Sequence, residues 1–224
     1  MSAGVGATVL LAAIAAAPAA KKPEKPKPSG TSGKVVNITP SPLPARYGTF
    51  VTLFGRLSGG NHGGKAVRLQ ADPYPFAESG FRDRGTKVTA GSGEFTFAER
   101  ARVNTRYRVV AFASPTIVSP TVTALVSYRV GLRVSDLTPR SGALVRFSGF
   151  VYPRKNGAAA LIQRQAAGGA FVTVARAKLH ASTSERSKYS RRLRVSSSGV
   201  YRVHVPGSAR ASGGDSVART VTVT

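Results

Sequence analysis

The sequence predicts an all-β protein of two tandem β-sandwiches, and three observations lead there. Apolar residues recur with a period of two: Val51, Leu53 and Leu57 interleave with Thr52 and Arg56, and Val145, Phe147 and Val151 with Arg146 and Ser148. That alternation is the signature of strands buried on one face. Clusters of Gly, Pro, Ser and Asn cut the chain into short segments, and no stretch after residue 20 carries a 3.6-residue apolar stripe. The chain also repeats itself. Gly48 to Gly55 (GTFVTLFG) answers Gly142 to Gly149 (GALVRFSG) at an offset of 94 residues. Phe95 answers Tyr189, and Tyr107-Arg108-Val109 answers Tyr201-Arg202-Val203, at the same offset, while Val67 to Gln70 answers Ala160 to Gln163 at 93.

Residues 1–19 read as an export signal. Val5 to Ala17 is an uncharged apolar run, and Ala17-Pro18-Ala19 supplies the small residues for cleavage after Ala19. Met1 to Gly6 departs from the usual pattern in carrying no Lys or Arg. The alternative, an uncleaved anchor, needs roughly 20 apolar residues to cross a bilayer as a helix, more than this run provides. Residues 20–34 contain KKPEKPKPSGTSG, where proline stiffens the chain and lysines repel one another, so this stretch reads as a Lys/Pro-rich spacer. The sandwiches are expected over 35–127 and 128–224. No later stretch is long and apolar enough for a transmembrane span, so the mature chain is expected to be secreted and extracellular, in association with the cell wall.

Strands in the first sandwich are expected at 51–57, 66–70, 93–97, 105–112 and 121–126. In the second they are expected at 130–134, 145–151, 160–163, 171–175, 189–195, 200–205 and 217–223. Short strands in such number bury a core only by stacking two sheets. With no cysteine in the chain, that core must hold by packing, without disulfides or thiolate metal ligands.

This pattern resembles the bacterial immunoglobulin-like or fibronectin type III-like modules that recur in secreted actinobacterial proteins, over nearly all of residues 35–224. Its most telling feature is Tyr107-Arg108-Val109 and Tyr201-Arg202-Val203, similar to the Tyr-x-Cys that opens strand F of antibody domains, with valine replacing cysteine. The resemblance implies that Tyr107 and Tyr201 are structural tyrosine-corner residues, with each hydroxyl bonded to nearby backbone. The core tryptophan and both cysteines of antibody domains are missing, and the superfold hosts many functions.

Catalytic chemistry finds little support. His62, His180 and His204 lack metal-ligand spacing, and the nine acids are scattered without a carboxylate pair or a calcium loop. There is no G-x-S-x-G elbow, and Ser58-Gly59-Gly60-Asn61-His62-Gly63-Gly64 lacks the Lys and Ser or Thr of a phosphate-binding loop. The chain is therefore expected to be no enzyme, with no metal and no cofactor.

Charge is more informative. The 33 Lys and Arg against 9 Asp and Glu give +24, and the excess is uneven. Five bases face one acid in 20–34, eleven face five in 35–127, and seventeen face three in 128–224. Strand parity predicts where the last group lies. With Val130, Leu132, Val134, Val145, Phe147, Tyr189, Leu193 and Val195 inward, Arg129, Arg133, Arg146, Lys188, Arg192 and Arg194 face outward. Strands A, B and E share one sheet in the immunoglobulin arrangement, so these six cations would form one polyanion-binding face. Arg191 falls on the inward parity and is expected to be a strand-end residue or a bulge. Tryptophan is absent and Phe150 is the only large aromatic expected on that outer face, which disfavours a carbohydrate-binding module of the aromatic-platform type.

Two functions suit such a chain. The first is an envelope-associated structural or adhesive module pair contacting another protein. The alternative is a cationic protein binding an anionic wall polymer, polysaccharide or nucleic acid through the second sandwich.

Overall fold

The computed structural model describes residues 35–76 and 80–224. The expected signal peptide 1–19, the spacer 20–34 and Glu78 lie outside the described residues. The regular structure is all β. The first half runs β1 (Val35–Ser41), β2 (Ala45–Arg46), β3 (Phe50–Ser58), β4 (Ala66–Pro73), β5 (Arg82–Val88), β6 (Glu94–Arg100), β7 (Thr105–Ala111), β8 (Ile117–Val118), β9 (Val122–Ala124) and β10 (Val126–Ser127). The second runs β11 (Arg129–Val130), β12 (Arg133–Val134), β13 (Ala143–Tyr152), β14 (Ala159–Gln165), β15 (Phe171–Lys178), β16 (His180–Ala181), β17 (Ser187–Val195), β18 (Gly199–Val205), β19 (Gly214–Asp215) and β20 (Arg219–Val221). No helix among the described residues is long and apolar enough to cross a membrane.

Each half stacks two sheets. In the first, β1-β3-β6 packs against β5-β4-β7-β8, with β9 also on β7 and β2 paired in parallel with β10. In the second, β11-β13-β17-β16 packs against β15-β14-β18-β19, with β12 on β13 and β20 on β18. The inward residues of facing sheets make each core. Leu53, Leu57 and Phe97 meet Leu69, Tyr107 and Val109 in one cluster, and Phe147, Val151 and Tyr189 meet Ile162, Tyr201 and Val203 in another. The first cluster ends at Val126 and the second begins at Tyr128. Emptying a site such as the fully buried Phe147 by truncation to alanine costs about 3–5 kcal/mol.

The repeat is exact in its irregularities too. Both middle strands slip register at the same place, between Leu69 and Gln70 in β4 and between Ile162 and Gln163 in β14. Gly55 pairs with Phe95, and Gly149 with Tyr189; a Cβ at Gly55 would run into the Phe95 ring, and one at Gly149 into the Gly131 carbonyl and the Tyr189 hydroxyl. Ser119 and Ser216 hold equivalent backbone amides, those of Val109 and Val203, each at 2.9 Å.

The expected strand at 130–134 is broken. β11 and β12 both pair with β13, but Gly131 and Leu132 interrupt them. Two seven-residue strands, β1 and β5, have no counterpart among those expected, and neither do the two-residue strands β2, β8, β16 and β19. β1 contributes only Val36 and Ile38 to the core, and β5 is exposed along its whole length, so it carries no apolar alternation.

The halves are closely joined, and the described residues all fall within one compact unit. Asn104 donates its backbone amide to the Arg210 carbonyl (2.8 Å) and its side-chain amide to the Ala209 carbonyl (3.0 Å), while its side-chain oxygen accepts from the Val126 amide (2.8 Å). The Ser212 amide donates to the Val126 carbonyl at 2.8 Å. Tyr47 stacks on Tyr152, with centroids 5.5 Å apart, and Arg102 pairs with Glu185 at 2.7 Å. Most of these contacts come from the segment linking β18 to β19. That segment is three residues longer than its first-half counterpart, because β8 and β9 match β19 and β20 at an offset of 97 where β7 and β18 match at 94.

Candidate polyanion-binding face

β11, β12, β13 and β17 lie side by side in one sheet, so the strands carrying the six predicted cations come together. Arg129, Arg133, Arg146, Lys188, Arg192 and Arg194 are all exposed. The register sets their spacing across the sheet: Arg133 lies opposite Ser148, Arg146 opposite Arg192, Leu144 opposite Arg194, and Phe150 opposite Lys188. Two guanidinium groups directly across a ladder repel each other.

No acid relieves that repulsion. Among the described residues, Asp136 accepts from the Thr138 amide, Glu185 pairs with Arg102, and Asp215 pairs with Arg202 and His204. These are the only three carboxylate side chains after residue 127. None of Arg133, Arg146, Lys188 or Arg192 has a side-chain hydrogen bond or ion pair among the described residues. Arg194 donates to the Gly142 carbonyl at 2.8 Å.

Arg129 stands apart from the other five. Its guanidinium lies 4.4 Å from the Tyr152 centroid and 6.0 Å from that of Tyr47, which places it at the joint between the halves. There it lines a concavity with Arg46 and Arg219, two cations that strand parity within a single repeat does not bring together. Arg191 sits in mid-strand in an unbroken nine-pair register opposite the buried Phe147, so it is neither a strand end nor a bulge. It is exposed because β16 covers β17 only at Ser187 and Lys188, leaving the edge open beyond them.

Phe150 lies on this face, 42% exposed, with the Arg186 guanidinium 4.1 Å above its ring. Arg186 also donates to the Tyr152 hydroxyl at 2.9 Å. Beneath the face, Tyr189 is almost wholly buried and donates its hydroxyl to the Gly131 carbonyl at 2.7 Å. Burial pushes its phenol well above the ordinary tyrosine range.

Tyr107 and Tyr201 are likewise buried, and Tyr201 packs against Phe147 with centroids 5.2 Å apart. Burial, with Glu99 nearby, raises the Tyr107 phenol to about 12, partly offset by a hydrogen bond with the Thr105 hydroxyl. Neither hydroxyl bonds to backbone among the described residues. The tyrosine that makes such a bond in this core is Tyr189, one sheet away.

Comparison with known proteins adds no identity: no family model and no curated protein matches the chain.

Proposed function

We propose that this chain is an exported, non-catalytic pair of immunoglobulin-like sandwiches that binds an anionic polymer of the cell envelope through the outer face of β11, β12, β13 and β17. The observation that carries this reading is the run of exposed, acid-free cations Arg133, Arg146, Lys188 and Arg192 on one sheet face. Keeping like charges opposed, as at Arg146 and Arg192, costs folding stability, and a polyanion laid across them converts that cost into attraction. A split sheet arrangement, with β1 on β3 and β2 in parallel with β10, supports the immunoglobulin-like description.

A salt series tests the reading. Binding that neutralises four phosphate-like charges at DNA-like charge density weakens on the order of a hundredfold between 50 and 200 mM salt. Affinity that is flat in salt, or absent below 50 mM, contradicts it. A second reading, a structural or adhesive module contacting another protein, is favoured by the joint at Asn104, which fixes two sandwiches in one unit as a spacer requires.

A further inference from the structure

Resting on the polyanion reading, we infer that the ligand is a linear anionic polysaccharide, and that it lies in a furrow along β11 and β12 with a sugar ring seated against Phe150. Three concavities adjoin there. The one holding Arg46, Arg129 and Arg219 shares Gly131, Leu132 and Phe150 with the next. That second concavity shares Arg133 and Ser148 with a third, which ends at Arg146. No carboxylate lines any of the three.

The furrow follows from the strand break. Gly131 interrupts the edge strand and Gly149 lies beneath it, where an added Cβ would run into the Gly131 carbonyl. Gly149 lets the edge strand lie close and Gly131 adds no side chain above it, which leaves a depression lined by Leu132 and Phe150, with Arg133 and Lys188 also on its wall. An apolar floor between cationic walls matches a polymer whose units each present an apolar ring face and an acidic substituent. Inorganic polyphosphate has no use for the floor. Single-stranded nucleic acid stacks successive bases on several aromatics, whereas here a single ring is offered and Arg186 already covers one of its faces.

The first half supplies an internal comparison. A concavity at the equivalent place is lined by Asn37, Thr39, Phe54, Arg56, Glu94 and Phe95. At the offset of 94, Thr39 becomes Arg133, Glu94 becomes Lys188 and Arg56 becomes Phe150. Both repeats offer an exposed phenylalanine at this fold position, Phe54 in one and Phe150 in the other, but the position is charge-balanced in the first and cationic in the second.

The test measures binding of the full chain to polygalacturonate, polyphosphate and oligo-dT at matched charge and fixed salt, with neutral dextran as the uncharged control. The variants are Phe150→Ala and Lys188→Glu, the latter copying the residue the first half carries. The inference expects polygalacturonate to bind tightest, with Phe150→Ala weakening it about tenfold, as loss of one aromatic contact does, and leaving polyphosphate unchanged. Lys188→Glu should weaken both. Equal binding of polygalacturonate and polyphosphate with no effect of Phe150→Ala overturns the polysaccharide assignment and leaves the polyanion reading standing. Preference for oligo-dT also overturns it. Binding to none of the polyanions overturns both.

Discussion

Tyr189 faces Gly149 across the β13–β17 ladder, and its hydroxyl passes over the glycine to reach the Gly131 carbonyl at 2.7 Å on the broken edge strand. One side chain thus passes over one glycine and anchors another. In the first half the Phe95 ring itself takes the space at Gly55, without a hydroxyl to reach further.

Tyr189→Phe should therefore fold, since phenylalanine already occupies the equivalent site. It should lose about 0.5–1.5 kcal/mol, the net worth of a hydrogen bond. Gly149→Ala should lose more, about 1–3 kcal/mol for overpacking, because its Cβ meets backbone that has no rotamer to change. Urea denaturation of both variants checks the order, and a Gly149→Ala variant as stable as the parent refutes it.

Alkaline pH should unfold the protein through its buried phenols. Burial holds the Tyr107 hydroxyl at about 12 and raises that of Tyr189, above the value near 10 of an exposed tyrosine. The folded state therefore keeps protons that the unfolded state releases. This contribution is complete below pH ~10 and is lost as pH climbs through about 12. Melting temperature against pH, with tyrosinate absorbance followed in parallel, should show two tyrosines ionising only with unfolding.

Asn104→Ala should weaken the joint. It removes the bond to the Ala209 carbonyl and strands the buried Val126 amide, a loss of about 1–3 kcal/mol. In the second half Ser198 holds the equivalent Val223 amide at 2.8 Å with no partner across a joint. Ser198→Ala should therefore cost stability without changing how the halves are held. Small-angle scattering should show a broader distance distribution for Asn104→Ala alone.

Much of this was legible from residue types and their spacing. Alternation in Val145, Phe147 and Val151 located β13, and the 94-residue repeat located its first-half partner. Strand parity put Arg146, Lys188, Arg192 and Arg194 on the exposed side of adjacent strands. What escaped has physical causes. β5 is exposed throughout, so no apolar periodicity marks it. Arg191 follows the inward parity but lies where the sheet edge is uncovered, and parity alone does not say which strand is an edge. Arg46, from the first half, joins Arg129 and Arg219 only because the joint is closed. One signal for the joint was present, the change of repeat offset from 94 to 97 after Val203. It marks the longer connection that reaches Asn104.

The most direct test of the central claim is Arg192→Glu, measured for stability and for polyanion binding together. Glutamate opposite Arg146 replaces a repulsive cross-strand pair with an attractive one, so the variant should gain roughly 0.2–1 kcal/mol at low salt. Its affinity for an anionic polymer should fall at least tenfold, since one cation is lost and one anion is added within the face. A protein that becomes more stable while losing its ligand places the cations in service of binding. Unchanged affinity in a folded Arg192→Glu variant would contradict the account.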